Sequence, residues 1–110
     1  MSRARFRVAW TRVARRDLLS IAEYLVARNP EAAVRTLGAL QRRAATLSVM
    51  PERGRVVPEL GRLHIREYRE LQSPPYRLIY RVAGRRVVVL ALLDGRRNLE
   101  DILLERLLST

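Results

Sequence analysis

Tyr76-Arg77-Leu78-Ile79-Tyr80-Arg81-Val82, a glycine at position 84, and Val87-Val88-Val89-Leu90-Ala91-Leu92-Leu93 run on into Asp94-Gly95-Arg96-Arg97-Asn98. The first run alternates. Tyr76, Leu78, Tyr80 and Val82 share one face of a strand, and Arg77, Ile79 and Arg81 share the other. Gly84 supplies the permissive backbone for a tight turn. The second run is apolar on both faces, the mark of an interior strand covered on two sides. The turn Asp94-Gly95-Arg96-Arg97 then carries two guanidinium groups to the end of that strand.

Upstream of this hairpin the chain is helical, with one strand in front. Arg3 to Trp10 alternates, Ala4, Phe6, Val8 and Trp10 against Arg3, Arg5 and Arg7, which predicts a half-buried strand with a basic outer face. Thr11 is a helix cap, and the helix it opens runs to about Arg28. Leu18, Ile21, Ala22, Leu25 and Val26 form its apolar stripe. Asn29-Pro30-Glu31 starts a second helix: a capping side chain, a proline at the first helical position and an acid at the positive end of the dipole. Ala33, Leu37, Leu40, Ala44 and Leu47 repeat at four and three residues, a packing seam that runs to about Met50, where Pro51 stops it. The short connection makes the two helices an antiparallel αα-hairpin.

Between the helices and the opening stretch, Glu52 to Gly61 is expected as a loop and Leu63 to Leu71 as a strand. The alternation there is imperfect, since Leu63 and Ile65 fall in one phase and Tyr68 in the other; a bulge or a twisted edge would account for it. Gln72-Ser73-Pro74-Pro75 is a turn. The tail starts with Asn98 as a cap and Asp101 three residues on. Leu99, Ile102, Leu103, Leu104, Leu107 and Leu108 spread over a wide arc, so this helix packs on the body or against a partner. The expected architecture is α+β: an N-terminal strand, an αα-hairpin packed on a small, mainly antiparallel sheet, and a short C-terminal helix. At 110 residues, one domain spanning 1–110 is expected.

Charge narrows the function. The net formal charge is +11, and all 22 basic residues are arginine. A field of this sign attracts a polyanion or an acidic protein, and the planar fork of arginine matches phosphate and carboxylate. The chain has no cysteine, which excludes disulfides and thiolate metal sites and is compatible with a reducing cytoplasm. The longest apolar run is far short of the roughly 20 residues that span a bilayer, and no apolar segment follows the basic N-terminus as in a signal peptide.

Ordinary enzyme patterns are missing. His64 is the single histidine and lacks an acid partner at motif spacing. Glu67 and Glu70, three apart on an expected strand, point to opposite faces and cannot work as a pair. No ligand set suits a metal, and the glycines are isolated turn residues rather than a phosphate loop.

The YRLIYRV strand (76–82), the apolar strand after it and the Gly95-Arg96-Arg97 turn, following two helices, resemble the RelE/ParE toxins of bacterial type II toxin–antitoxin pairs. The resemblance covers nearly the whole chain and is nearer to ParE. It implies a cytoplasmic toxin without cofactor or metal, neutralised by a cognate antitoxin that binds it directly. ParE-type toxins inhibit DNA gyrase and so block replication. RelE-type toxins are ribosome-dependent messenger-RNA endonucleases that use basic residues and a tyrosine near the C-terminus. By position, Arg77 resembles the arginine on the RelE strand, and Arg96 or Arg97 the one in its terminal turn. This chain departs from RelE in having no tyrosine after Arg97 and no lysine; Tyr68, Tyr76 or Tyr80 would have to stand in, and Tyr76 and Tyr80 point away from Arg77. Arginine is too basic for easy proton transfer. Arg77, Arg81, Arg96 and Arg97 are therefore expected to hold the target, with a possible nucleic-acid contact; as a nuclease, the chain would use Arg77, Arg96 and Arg97. The structural alternative pairs Arg77 and Arg81 with Glu67 or another carboxylate across strands, and leaves Arg96 and Arg97 in a solvated turn.

Overall fold

The computed structural model describes residues 5–96 and 99–108. Chain order is β1 (Arg7–Trp10), α1 (Arg12–Arg28), α2 (Pro30–Ala45), a short 3-10 turn (Thr46–Ser48), β2 (Arg55–Val56), α3 (Pro58–Gly61), β3 (Tyr68–Ser73), β4 (Tyr76–Ala83), β5 (Arg86–Asp94) and α4 (Leu99–Leu108). The five strands form one sheet in the order β1-β5-β4-β3-β2. Only the β1–β5 pair is parallel; the others are antiparallel. This is the α+β arrangement expected from the sequence, with α1 and α2 on one face.

The caps are the ones the sequence announces. The Thr11 hydroxyl accepts from the Ala14 N–H at 3.1 Å, and the Asn29 side chain accepts from the Ala32 N–H at 3.1 Å, with Pro30 leading α2. Gly84, at φ +61°, opens a two-residue loop between β4 and β5, where a positive φ suits the strand twist. The helix-side core gathers Ala14, Leu40, Ala44 and Leu47 against Leu71, Leu78, Tyr80, Val87, Val89 and Leu92. Burying each of the large aliphatic side chains stabilises the fold by about 1.5–3 kcal/mol.

β5 changes face halfway. Tyr80 stands opposite Val89 and Ile79 opposite Ala91, which leaves Leu90 as an extra residue, a β-bulge. Val87 and Val89 before it and Leu92 after it meet the helices, while Ala91 and Leu93 turn to the second face. There they join Ile79, Val57 and Leu60 in a second cluster, with Ile65, Tyr68 and Ile102 packed against it. The covering of the second face implied by the all-apolar β5 therefore comes from α3 and α4 together.

Four expectations are corrected. α2 ends at Ala45 and passes into the 3-10 turn, short of Met50. The segment read as a loop contains β2 and α3, with Pro58 at the start of the helix and Leu60 buried. Residues 63–67 are not strand: the chain turns after α3, with His64 at φ +64°, and pairing starts at Tyr68. The broken alternation recorded a turn, and the bulge lies in β5. In α1, Val26 is 53% exposed, so the apolar stripe ends before it. Arg3, Ala4, Arg97 and Asn98, with the cap expected at Asn98, lie outside the described residues.

A carboxylate closes the sheet where β1 stops. Thr11 leaves the β5 edge after its N–H donates to the Val89 carbonyl at 3.0 Å. Asp17 of α1 then accepts from the Leu92 N–H at 3.0 Å. Arg106 of α4 donates to both Asp17 oxygens, at 2.6 and 2.8 Å. The hydrogen bonds to Asp17 hold the Arg106 pKa above its ordinary value.

Candidate functional site

Strand alternation places Arg77, Ile79 and Arg81 on the second face, away from α1 and α2. The register of β4 with β3 sets Gln72 beside Arg77, Ile79 beside Glu70 and Arg81 beside Tyr68. Arg77 thus has a carboxylate one diagonal step away, and α3 lowers a second one onto it. Its Nη1 and Nη2 donate to the two oxygens of Glu59, each at 2.9 Å, a forked pair. Its Nε donates to Glu70 Oε1 at 2.8 Å, and its Nη2 also reaches that oxygen. Glu70 Oε2 accepts from Arg55 Nε of β2 at 2.6 Å.

The cluster is two guanidiniums against two carboxylates, and its centre is dry: the Glu70 side chain is 0% exposed and that of Arg77 11%. Hydrogen bonds from Arg77 hold the Glu59 carboxyl below its ordinary pKa, against the opposing effect of burial. The same bonds, led by those to Glu59, raise Arg77 further above its already high value. Ion pairs of this kind repay the cost of desolvation only while all partners are in place. The stem of Arg77 lies against Gly95, where a Cβ would come within 3.3 Å of Arg77 Cδ and 3.2 Å of the Pro75 carbonyl. A side chain in the terminal turn would thus crowd the arginine's stem.

Of the four arginines singled out by sequence, the three among the described residues, Arg77, Arg81 and Arg96, do not converge. Arg77 is turned inward, as in the ion-pair alternative, but with Glu70 and Glu59 in place of Glu67. Arg81, four residues along the same strand, is exposed on the same face. Arg96 is 77% exposed and folded back on its own turn, its Nε and Nη2 donating to the Asp94 carboxylate at 3.0 and 2.7 Å. Arg97 lies outside the described residues. Glu67 is exposed and just precedes β3, whereas Glu70 is buried, so the two do not act together.

Tyr76 and Tyr80 point to the helix side, and burial raises the pKa of both. The Tyr80 hydroxyl accepts from the Gly54 N–H at 2.9 Å. His64 is exposed in its turn. Among the described residues, no group of three or more His, Asp or Glu side chains is placed to hold a metal, and no helix is long and apolar enough to cross a membrane.

The sequence reading missed Glu59 and Glu70 as the partners of Arg77, and Arg55 as the second partner of Glu70. Glu70 carried a signal: counting outward from the Pro74-Pro75 turn puts position 72 beside 77 and position 70 beside 79. Glu59 carried none, because it reaches Arg77 only once α3 has folded over the sheet. A second feature lies on the helix side: a groove of about 430 Å³ between β1 and the helical hairpin, lined by Val8, Trp10, Arg15, Leu18, Gln41, Ala44 and Ala45.

Comparison with known proteins places this geometry. Residues 8–99 match the family model described as the ParE toxin of the type II toxin–antitoxin system parDE. A solved structure of the chromosomal ParDE toxin–antitoxin system from P. aeruginosa superposes with a TM-score of 0.66 at 23% identity, covering 79% of this chain and 92% of that one. The toxin–antitoxin complex RelBE2 from Mycobacterium tuberculosis superposes with a TM-score of 0.60 at 27% identity, covering 84% of this chain and 94% of that one. No curated protein matches the sequence.

Proposed function

The chain belongs to the ParE toxin family of type II toxin–antitoxin systems, and from that premise we propose that it acts by binding DNA gyrase and blocking replication, not by cutting RNA. The observation that carries this reading is the engagement of Arg77. A ribonuclease of the RelE kind needs a cation free to meet the developing charge on a phosphate. Here the arginine at the matching place is held by Glu59 and Glu70 at 2.8–2.9 Å. No tyrosine faces it from its own strand, since Tyr76 and Tyr80 lie on the helix side. A buried, neutralised pair favours holding a fold together over moving a proton.

The cognate antitoxin meets the toxin, in this reading, at the groove between β1 and the helical hairpin. Trp10, Val8 and Leu18 offer apolar surface there and Arg15 offers charge. An amphipathic, acidic segment fits both, in the manner of a helix or strand laid into a groove, and part of the interface energy goes into ordering it.

The test is a supercoiling assay with gyrase and the purified full-length chain, beside primer extension on translated messages after induction. Inhibited supercoiling with intact messages is the expected result. Unaffected supercoiling at micromolar protein removes gyrase from the account, and discrete cuts within codons would transfer the chain to the endonuclease class. Trp10→Arg is expected to weaken antitoxin binding while leaving gyrase inhibition in place.

A further inference from the structure

α3 and α4 cover only part of the sheet's second face. Their cluster takes in Ile79, Ala91 and Leu93, toward the C-terminal end of β5. At the other end the ladders put Arg7 of β1 beside Arg86 of β5, and Arg86 beside Ala83 of β4. The next row is Ala9, Val88, Arg81 and Tyr68. Residues paired across a ladder share a face, so these two rows form one surface. Arg7, Arg81 and Arg86 are exposed. Among the described residues none of the three forms an ion pair. Arg85, next to Arg86, is directed elsewhere, its guanidinium 5.9 Å from the centre of the Phe6 ring.

Two arginines side by side on neighbouring strands, about 4.8 Å apart at the backbone, repel one another. The third stands in the next row, and Ala9, Ala83 and Val88 keep the floor between them low. An anion laid on this floor removes the repulsion and meets several planar donor forks at once. We propose that this open end of the second face, carried by Arg7, Arg81 and Arg86, binds the phosphodiester backbone of a nucleic acid.

An acidic peptide suits it less well. Peptides dock through an unpaired strand edge or an apolar groove. This surface is the flat face of strands already paired, and the groove beside β1 lies on the other side of the sheet. Tyr68, half-buried beside Arg81, adds an aromatic edge where a base can rest. The surface uses neither the cluster around Arg77 nor the groove given to the antitoxin; it shares Arg81 with the residues expected to hold the target, and its test needs no gyrase.

The experiment is fluorescence anisotropy of the full-length chain with labelled duplex DNA, single-stranded DNA and single-stranded RNA over a range of salt. Two triple variants that remove the same charge are compared: Arg7→Ser/Arg81→Ser/Arg86→Ser on the open face, and Arg12→Ser/Arg16→Ser/Arg35→Ser on the helices. Circular dichroism checks folding, and Arg81→Ser alone serves if the first triple does not fold. The open-face triple is expected to bind at least tenfold more weakly and to lower the slope of log affinity against log salt by about 2–3, because each phosphate that an arginine neutralises releases about one counterion; Arg81→Ser alone lowers it by about 1. The helix triple keeps the wild-type slope. Ranking the three nucleic acids identifies which backbone is preferred. Equal losses in the two triples would reduce the effect to net charge and overturn the proposal. So would an open-face triple that loses binding to an acidic polypeptide while retaining nucleic acid.

Discussion

Arg77 and Arg81 lie four residues apart on one strand and face the same way, yet they occupy opposite surroundings. Arg77 sits under α3, where Glu59 and Glu70 take up its donors. Arg81 stands beyond the reach of that short helix, exposed beside Tyr68 and Val88. The residue type is the same, and so is the strand. What differs is the cover. A guanidinium on a covered part of a sheet must be neutralised, because its desolvation is otherwise unopposed. On an uncovered part it stays hydrated and available to an external anion.

The largest expected effect is at the covered end. Arg77→Leu leaves the Glu59 and Glu70 carboxylates without their main partner and is expected to cost about 3–5 kcal/mol of stability, measured by urea unfolding. A loss under about 1 kcal/mol, the size of a surface pair, would mean that the cluster does not fasten α3 to the sheet. Gly54→Ala strains the same region from the side, since its Cβ would lie 2.5 Å from the Glu70 carbonyl oxygen and 2.7 Å from the Tyr80 hydroxyl. Overpacking of that kind costs about 1–3 kcal/mol, read as a drop in the denaturant midpoint.

A smaller effect follows from acid. The Glu59 pKa is lowered in the folded chain, so its contribution is present above the unfolded glutamate value of about 4.3 and disappears as the pH falls through the lower folded value. Stability measured from neutral pH down through that window should decline more steeply in wild type than in Glu59→Gln, which is weaker at neutral pH from the outset. Parallel curves for the two proteins would place the acid sensitivity elsewhere. The smallest effect belongs to the open end: Arg81→Ser should alter stability by no more than about 0.5 kcal/mol. A larger loss in thermal or urea unfolding would erase the contrast between the two ends.

Much of the frame was legible because it rests on local rules. The period-2 pattern from Tyr76 to Val82 assigned each side chain to the face it occupies, and Thr11 and Asn29-Pro30 marked both helix starts. The failures share a cause. Val57, Glu59 and Leu60 sit in a segment rich in turn residues, and their burial depends on a sheet that strands from both ends of the chain complete. Residues 63–67 carried apolar side chains at strand-like spacing, but the turn after α3 claimed them. The bulge at Leu90 was hidden because β5 is apolar throughout, so a phase shift leaves no trace in its hydropathy. For the site, the basic outer face of β1 was readable, but that Arg7 would meet Arg86 requires knowing that β1 and β5 are neighbours.

The Asp17 link has a consequence for synthesis. β1 finds its pairing edge only after residues 86–89 have been made, and the Leu92 amide is tied by a carboxylate that Arg106 grips from α4. The helical hairpin rests on local contacts and can form early, whereas β1 stays unpaired until β5 is available and the Asp17 tie is complete only once α4 is in place. A chain made only as far as β5 therefore lacks both the Ile102 cover on the second face and the grip on Asp17, and its last strand is fastened from one side only.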